Sequence, residues 1–128
     1  MLKVDWGDDS RTYIYTKFYP DWTWHEFHNN RLAYRSMIQS VYWRVDYIAD
    51  FTGVSTIPYD FLGHSKLAFD MRLPNEGYVI VVGANPKIKR IAEFIMKVVP
   101  KAKMSVVFAN TLEEARALVD IDRPSADV

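Results

Sequence analysis

A chain of 128 residues, 49% apolar and 25% charged, is long enough to bury a real core and too apolar for a disordered segment or a collagen-like repeat. Sixteen basic residues balance sixteen acidic ones, which removes the electrostatic case for nucleic acid. The absence of cysteine excludes disulfide frameworks, thiolate zinc sites and cysteine nucleophiles together.

The start Met1-Leu2-Lys3-Val4-Asp5 has no signal-peptide layout, and no apolar run nears the ~20 residues of a membrane span, so a cytoplasmic protein without a membrane segment is expected. Two alternating runs, Leu2/Val4/Trp6 and Ile14/Thr16/Phe18, flank the turn formers Gly7-Asp8-Asp9-Ser10 and predict a β-hairpin. Tyr13, Tyr15 and Tyr19 share the other face of the second strand with Lys17, a face suited to self-association as a homodimer. After Pro20, Thr23-Trp24-His25-Glu26 fits a capping box, and Trp24, Phe27, Tyr34, Ile38 and Val41 line one stripe of the helix it opens. His25, Asn29, Arg35 and Gln39 fall on its wet side.

The run Val45 to Phe51 has the profile of a strand covered on both faces. A loop from Gly53 to Tyr59 follows, and Asp60 is placed to cap a helix carrying Leu62, Leu67, Phe69 and Met71, which Pro74-Asn75-Glu76-Gly77 stops. Tyr78 to Val82 is a second buried strand. Asn85 then caps a helix with Pro86 at its first position, an apolar face of Ile88, Ile91, Ala92, Ile95 and Val99, and Pro100 as its end. Met104 to Ala109 reads as a third such strand, and Thr111-Leu112-Glu113-Glu114 opens a last helix with Ala115, Leu118 and Val119. Asp122 to Val128 reads as a polar tail. The order ββαβαβαβα predicts one α/β domain over residues 1–120, with a tail over 121–128, a mostly parallel sheet and an antiparallel hairpin at its edge.

Three segments carry a family resemblance: Tyr19-Pro20-Asp21-Trp22-Thr23-Trp24 entering the first helix, Val45-Asp46-Tyr47-Ile48-Ala49-Asp50-Phe51-Thr52-Gly53-Val54 leading into a loop, and Ala109-Asn110-Thr111-Leu112-Glu113-Glu114-Ala115 near the end. With the element order, they make the chain resemble the STAS domain over about Leu2 to Val119, closest to the stand-alone bacterial proteins similar to the sporulation anti-sigma-factor antagonist. The resemblance implies a STAS-like fold and a non-catalytic regulatory protein that binds another protein, with no cofactor. In phosphorylated members, the loop carries an Asp-Ser whose serine a partner kinase modifies. Laid without gaps from Thr52-Gly53-Val54, that position falls near Pro58-Tyr59-Asp60, where a carboxylate stands in place of the hydroxyl. Asp60 is then either a helix cap or a standing negative charge at a helix amino end. The implied partner surface is the loop Gly53 to Gly63 with the following helix, and its candidate residues are Ser55, Thr56, Tyr59, Asp60 and His64.

Other chemistries carry weaker signals. His25 and His28 lie one turn apart but do not make His-Glu-x-x-His, so a solvated helix face is expected and no metal site. His64-Ser65 has no Gly-x-Ser-x-Gly elbow around it. Gly83, Asn85 and Lys87 join a strand to a helix start where backbone amides can hold an anion, although the glycines are too few for a P-loop. The alternative function is therefore a small-ligand module, for a nucleotide or a lipid, in the groove beside Gly83-Ala84-Asn85. A deep apolar cavity with converging polar groups is the mark of a ligand site, and a flat exposed surface around Asp60 the mark of a protein partner. Trp6, Trp22 and Trp24 are expected at the core or its edge.

Overall fold

The computed structural model describes residues 2–121 and 123. Its single sheet has five strands in the order β1 (Leu2–Trp6), β2 (Tyr13–Phe18), β3 (Val45–Asp50), β4 (Glu76–Val82) and β5 (Val106–Ala109). β1 and β2 form the antiparallel hairpin, with Leu2 opposite Phe18 and Trp6 opposite Ile14, and every later pairing is parallel. The α/β class, the mixed sheet and the hairpin edge are as the residue pattern predicts, and the arrangement is consistent with a STAS-like fold.

The helices are α1 (Trp24–Gln39), α2 (Phe61–Asp70), α3 (Pro86–Val98), α4 (Pro100–Ser105) and α5 (Leu112–Val119). Strand alternation divides the core between the two faces of the sheet. Ile48, Ile80 and Val82 join Tyr13, Ala109, Ala115 and Val119 in one layer beneath α5. Ala49 and Val81 join Phe18, Trp22, Phe51 and Ile88 in the opposite layer, with Tyr47, Val79 and Phe27 packed against it. Neighbouring parallel strands in sequence order place their right-handed crossovers on a common side, which is where α1, α2 and α3 meet this second layer.

Three caps follow the sequence closely. Thr23 Oγ1 accepts the Glu26 amide at 3.1 Å, Asn85 Oδ1 accepts the Ile88 amide at 2.8 Å, and Thr111 Oγ1 accepts the Glu114 amide at 3.1 Å. The expected cap at Asp60 needs correction. Asp60 occupies the N-cap position of α2, but its backbone is left-handed (φ 66°, ψ 27°) and its side chain caps nothing. A capping carboxylate reaches back to the first amides from an extended backbone, and the left-handed turn denies it that direction.

Two further boundaries differ from expectation. Pro100 does not simply end α3: Val99 breaks the helix with an extended backbone (φ −118°, ψ 100°), and Pro100 then starts the extra helix α4 at the position proline suits. Met104 and Ser105 lie in that helix, so β5 is only four residues long. Of the three tyrosines on one face of β2, Tyr13 is buried beneath α5, Tyr15 donates to Asp50 at 2.5 Å, and Tyr19 is exposed. Of the expected tail over 121–128, the described residues include only Ile121 and Arg123. The Arg123 side chain is anchored, donating to the carbonyls of Thr12 at 2.8 Å and Arg44 at 2.5 Å and to the Asp46 carboxylate at 2.9 Å.

Candidate functional site

The layer between the sheet and α1–α3 holds a partly open cavity of about 150 Å³. Each helix contributes one stripe to it. α1 presents Trp24, Phe27, Arg31 and Tyr34; α2 presents Ser65, Ala68 and Phe69; α3 presents Ile88, Ala92 and Ile95. These spacings of three and four are what one face of a helix requires. The floor is Tyr47 and Ala49 of β3 with Val79 and Val81 of β4, while Phe18, Trp22 and Phe51 close the carboxyl end of the strands. Carboxyl ends of parallel strands are where α/β folds hold ligands.

Alanines at 49, 68 and 92 come from the sheet, α2 and α3 and face this one volume. Their short side chains keep the space open where leucine or valine would fill it. Around Trp22 the walls are aromatic. Its indole meets Phe18 and Trp24 edge-on at 4.8 Å and lies 6.2 and 6.4 Å from Phe51 and Phe27. Phe18 and Phe51 stack at 4.3 Å.

The far end is polar and largely self-satisfied. Tyr34 donates to Glu76 Oε1 at 2.7 Å, and Glu76 Oε2 accepts the Leu73 amide at 2.6 Å. Arg31 donates to the Ala68 carbonyl at 3.2 Å and lies 4.9 Å over the Tyr34 ring. Arg72 donates to the Gly77 carbonyl and to Ser105 Oγ. Burial raises the Tyr34 hydroxyl well above its ordinary value, an effect the Glu76 carboxylate reinforces. Burial likewise pushes Tyr47 up to about 12. Both remain neutral phenols at physiological pH.

The loop expected as a partner surface lies over this cavity. Ile57 is its lining residue, whereas Ser55, Thr56, Tyr59 and Asp60 point outward, Tyr59 at 90% exposure. Two side chains tie the loop down. Trp24 Nε1 donates to the Pro58 carbonyl at 3.1 Å, and Asn85 Nδ2 donates to the carbonyls of Ser55 at 3.0 Å and Val54 at 3.4 Å. His64 stacks on Trp24 at 5.0 Å and pairs with His28, Nδ1 to Nε2, at 2.9 Å. His28 therefore leaves the solvated face expected for it and joins α1 to α2. Ser65 is turned into the cavity while His64 is engaged with His28, so the two form no nucleophile–base pair. Among the described residues, no three acidic or histidine side chains converge as a metal site.

The His28–His64 bond needs at least one neutral ring to accept. Burial first, then His64 and Arg31, hold His28 below its ordinary value of 6.5. A histidine with a depressed folded pKa takes up its proton more readily when unfolded, so stability falls as pH drops through the ordinary histidine range and levels off below the folded pKa. Melting temperature should therefore fall between about pH 8 and about pH 5. His28→Phe, which keeps the packing on Trp24 and Phe27, should show a shallower fall; an identical slope would refute the assignment.

Gly83, Asn85 and Lys87 do not line the cavity. Gly83 has φ +68°, and a Cβ there would lie 2.2 Å from Thr52 Oγ1, so glycine serves the tight passage of the chain. Asn85 Oδ1 already takes the Ile88 amide that an anion would need, and Lys87 is exposed. A polar cluster that the pattern did not single out sits on the α5 side of the sheet. Asp50 is 8% exposed and accepts from Tyr15 at 2.5 Å and from the Thr52 amide at 3.0 Å, with Lys17 at 3.8 Å. Burial opposes its charge, but the bonds from Tyr15 and Thr52 prevail and hold its carboxyl below the usual range.

Among the described residues no helix is long and apolar enough to cross a membrane. Comparison with family models, with curated proteins and with solved structures finds no match for this chain.

Proposed function

We propose that this chain is a non-catalytic binding module whose ligand is a small apolar molecule held between the sheet and α1–α3. The observation that carries this reading is the cavity of about 150 Å³. Native interiors are packed with few voids larger than a water molecule, and a space of this size lined by apolar side chains accommodates a benzene-sized guest. Its polar groups gather at one end, where Tyr34 bonds Glu76 and the arginines donate to backbone carbonyls and Ser105, which favours holding a ligand over reacting with it.

Ethylbenzene tests the reading directly. A ligand that binds only the folded chain raises stability by about 2.7 kcal/mol at a hundred times its dissociation constant. The melting temperature should rise with ethylbenzene concentration and saturate. A flat response across the soluble range would overturn the proposal.

The resemblance to STAS proteins supports a second reading, in which a cytoplasmic regulatory protein docks a partner on the loop and on α2. The observation that favours it is a set of exposed apolar side chains there: Tyr59, Leu62, Leu67 and Met71. The two readings are compatible, because the loop whose outer face would meet the partner rests its Ile57 on the cavity.

A further inference from the structure

Trp22 is 4% exposed and forms part of the cavity wall, yet its indole Nε1–H has no acceptor among the described residues. Trp24, its neighbour in the same wall, donates to the Pro58 carbonyl. Buried donors are almost always paired, and an orphaned one in a native fold calls for an explanation. The aromatic packing on Trp22 explains the position of its ring: Phe18, Trp24, Phe27 and Phe51 hold it. These rings fix the indole and supply no oxygen or nitrogen acceptor for its N–H.

We infer that the ligand is a neutral apolar molecule carrying a hydrogen-bond acceptor, a ketone, aldehyde or ester oxygen, and that Trp22 Nε1–H donates to it. The inference rests on the cavity reading above and adds the chemical class. Neutrality follows from the surroundings. The rings that meet Trp22 bring no positive charge, so a carboxylate there would lose its hydration with only one neutral donor in return. A carbonyl oxygen loses far less and gains the same bond. At the other end of the cavity Arg31 and Arg72 donate to backbone carbonyls and to Ser105, and Glu76 brings a negative charge to the same lining.

Three probes of matched shape separate the possibilities: ethylbenzene, acetophenone and benzoate, each titrated calorimetrically into the full chain. Acetophenone should bind about tenfold tighter than ethylbenzene, the worth of one buried hydrogen bond that satisfies an orphaned donor. Benzoate should bind most weakly. In Trp22→Phe the preference for acetophenone should vanish while ethylbenzene still binds. In the wild-type chain, the Trp22 indole proton should move downfield in NMR spectra with acetophenone and not with ethylbenzene, a readout that needs no variant. Equal binding of acetophenone and ethylbenzene would overturn this inference and leave the cavity reading standing. Tightest binding by benzoate would also overturn it, in favour of a charged ligand. Failure of all three probes to bind would overturn both.

Discussion

Asp46→Ala is expected to cost about 3–5 kcal/mol of stability, the range seen when one member of a buried charge network is removed and its partners are left behind. Asp46 has no exposed surface. Its Oδ1 accepts the Tyr78 amide at 2.7 Å, and its Oδ2 takes Arg44 at 3.2 Å and Arg123 at 2.9 Å. The register explains why a carboxylate stands here. Val45 pairs with Glu76 and Tyr47 with Val79, so β4 has one residue more than β3 in this interval, and Asp46 accepts the amide that the irregular ladder leaves over. Arg44 continues the network to the carbonyls of Val119 and Ile121 at the end of α5. Removing Asp46 thus takes the carboxylate from two guanidiniums, which keep only backbone carbonyls, and leaves the Tyr78 amide without its acceptor. Asp46→Asn, which keeps the acceptor for Tyr78, should lose less. Gly77→Ala should also be poorly tolerated, because a Cβ there would lie 2.0 Å from Asp46 Oδ1. Urea unfolding of the three variants is the measurement. A loss below about 1 kcal/mol for Asp46→Ala would mean that the network holds nothing that water does not replace.

Ala68→Leu should abolish ligand binding and at the same time stabilise the ligand-free chain by up to about 2 kcal/mol, the gain available from filling a cavity. The sign is the informative part. Adding methylenes to a well-packed core normally costs about 1–3 kcal/mol. Ala68 is buried on the inner stripe of α2 and lines the cavity, so its enlarged side chain has space to enter. Ethylbenzene titrated against this variant should give no rise in melting temperature. A destabilised variant would show that the neighbouring helices do not leave leucine-sized room; a stable variant that still binds would place the ligand elsewhere. Ala92→Leu approaches the same volume from α3 and should agree with it.

The amino-acid sequence by itself determined what single elements decide. The hairpin follows from alternation around Gly7-Asp8-Asp9-Ser10, and the caps at Thr23, Asn85 and Thr111 follow from short acceptors placed ahead of apolar periodicity. The buried runs read at 45–51 and 78–82 follow from strands covered on both faces, although β3 ends at Asp50 and β4 already begins at Glu76. Where a residue's role depends on a backbone angle, pattern misled: Asp60 has the right chemistry for a cap and the wrong φ for one. Where it depends on a distant partner, pattern was silent. His28 and His64 are 36 positions apart, and the bonds from Trp24 to Pro58 and from Arg31 to Ala68 span 34 and 37. The cavity belongs wholly to this second class. Ala49 and Ala92 read as ordinary core residues and Ala68 carries no signal of its own, because nothing local distinguishes an alanine that is packed from one that faces space. Only the tertiary structure brings the three together, because a void is a property of the distances between elements and not of any residue within one.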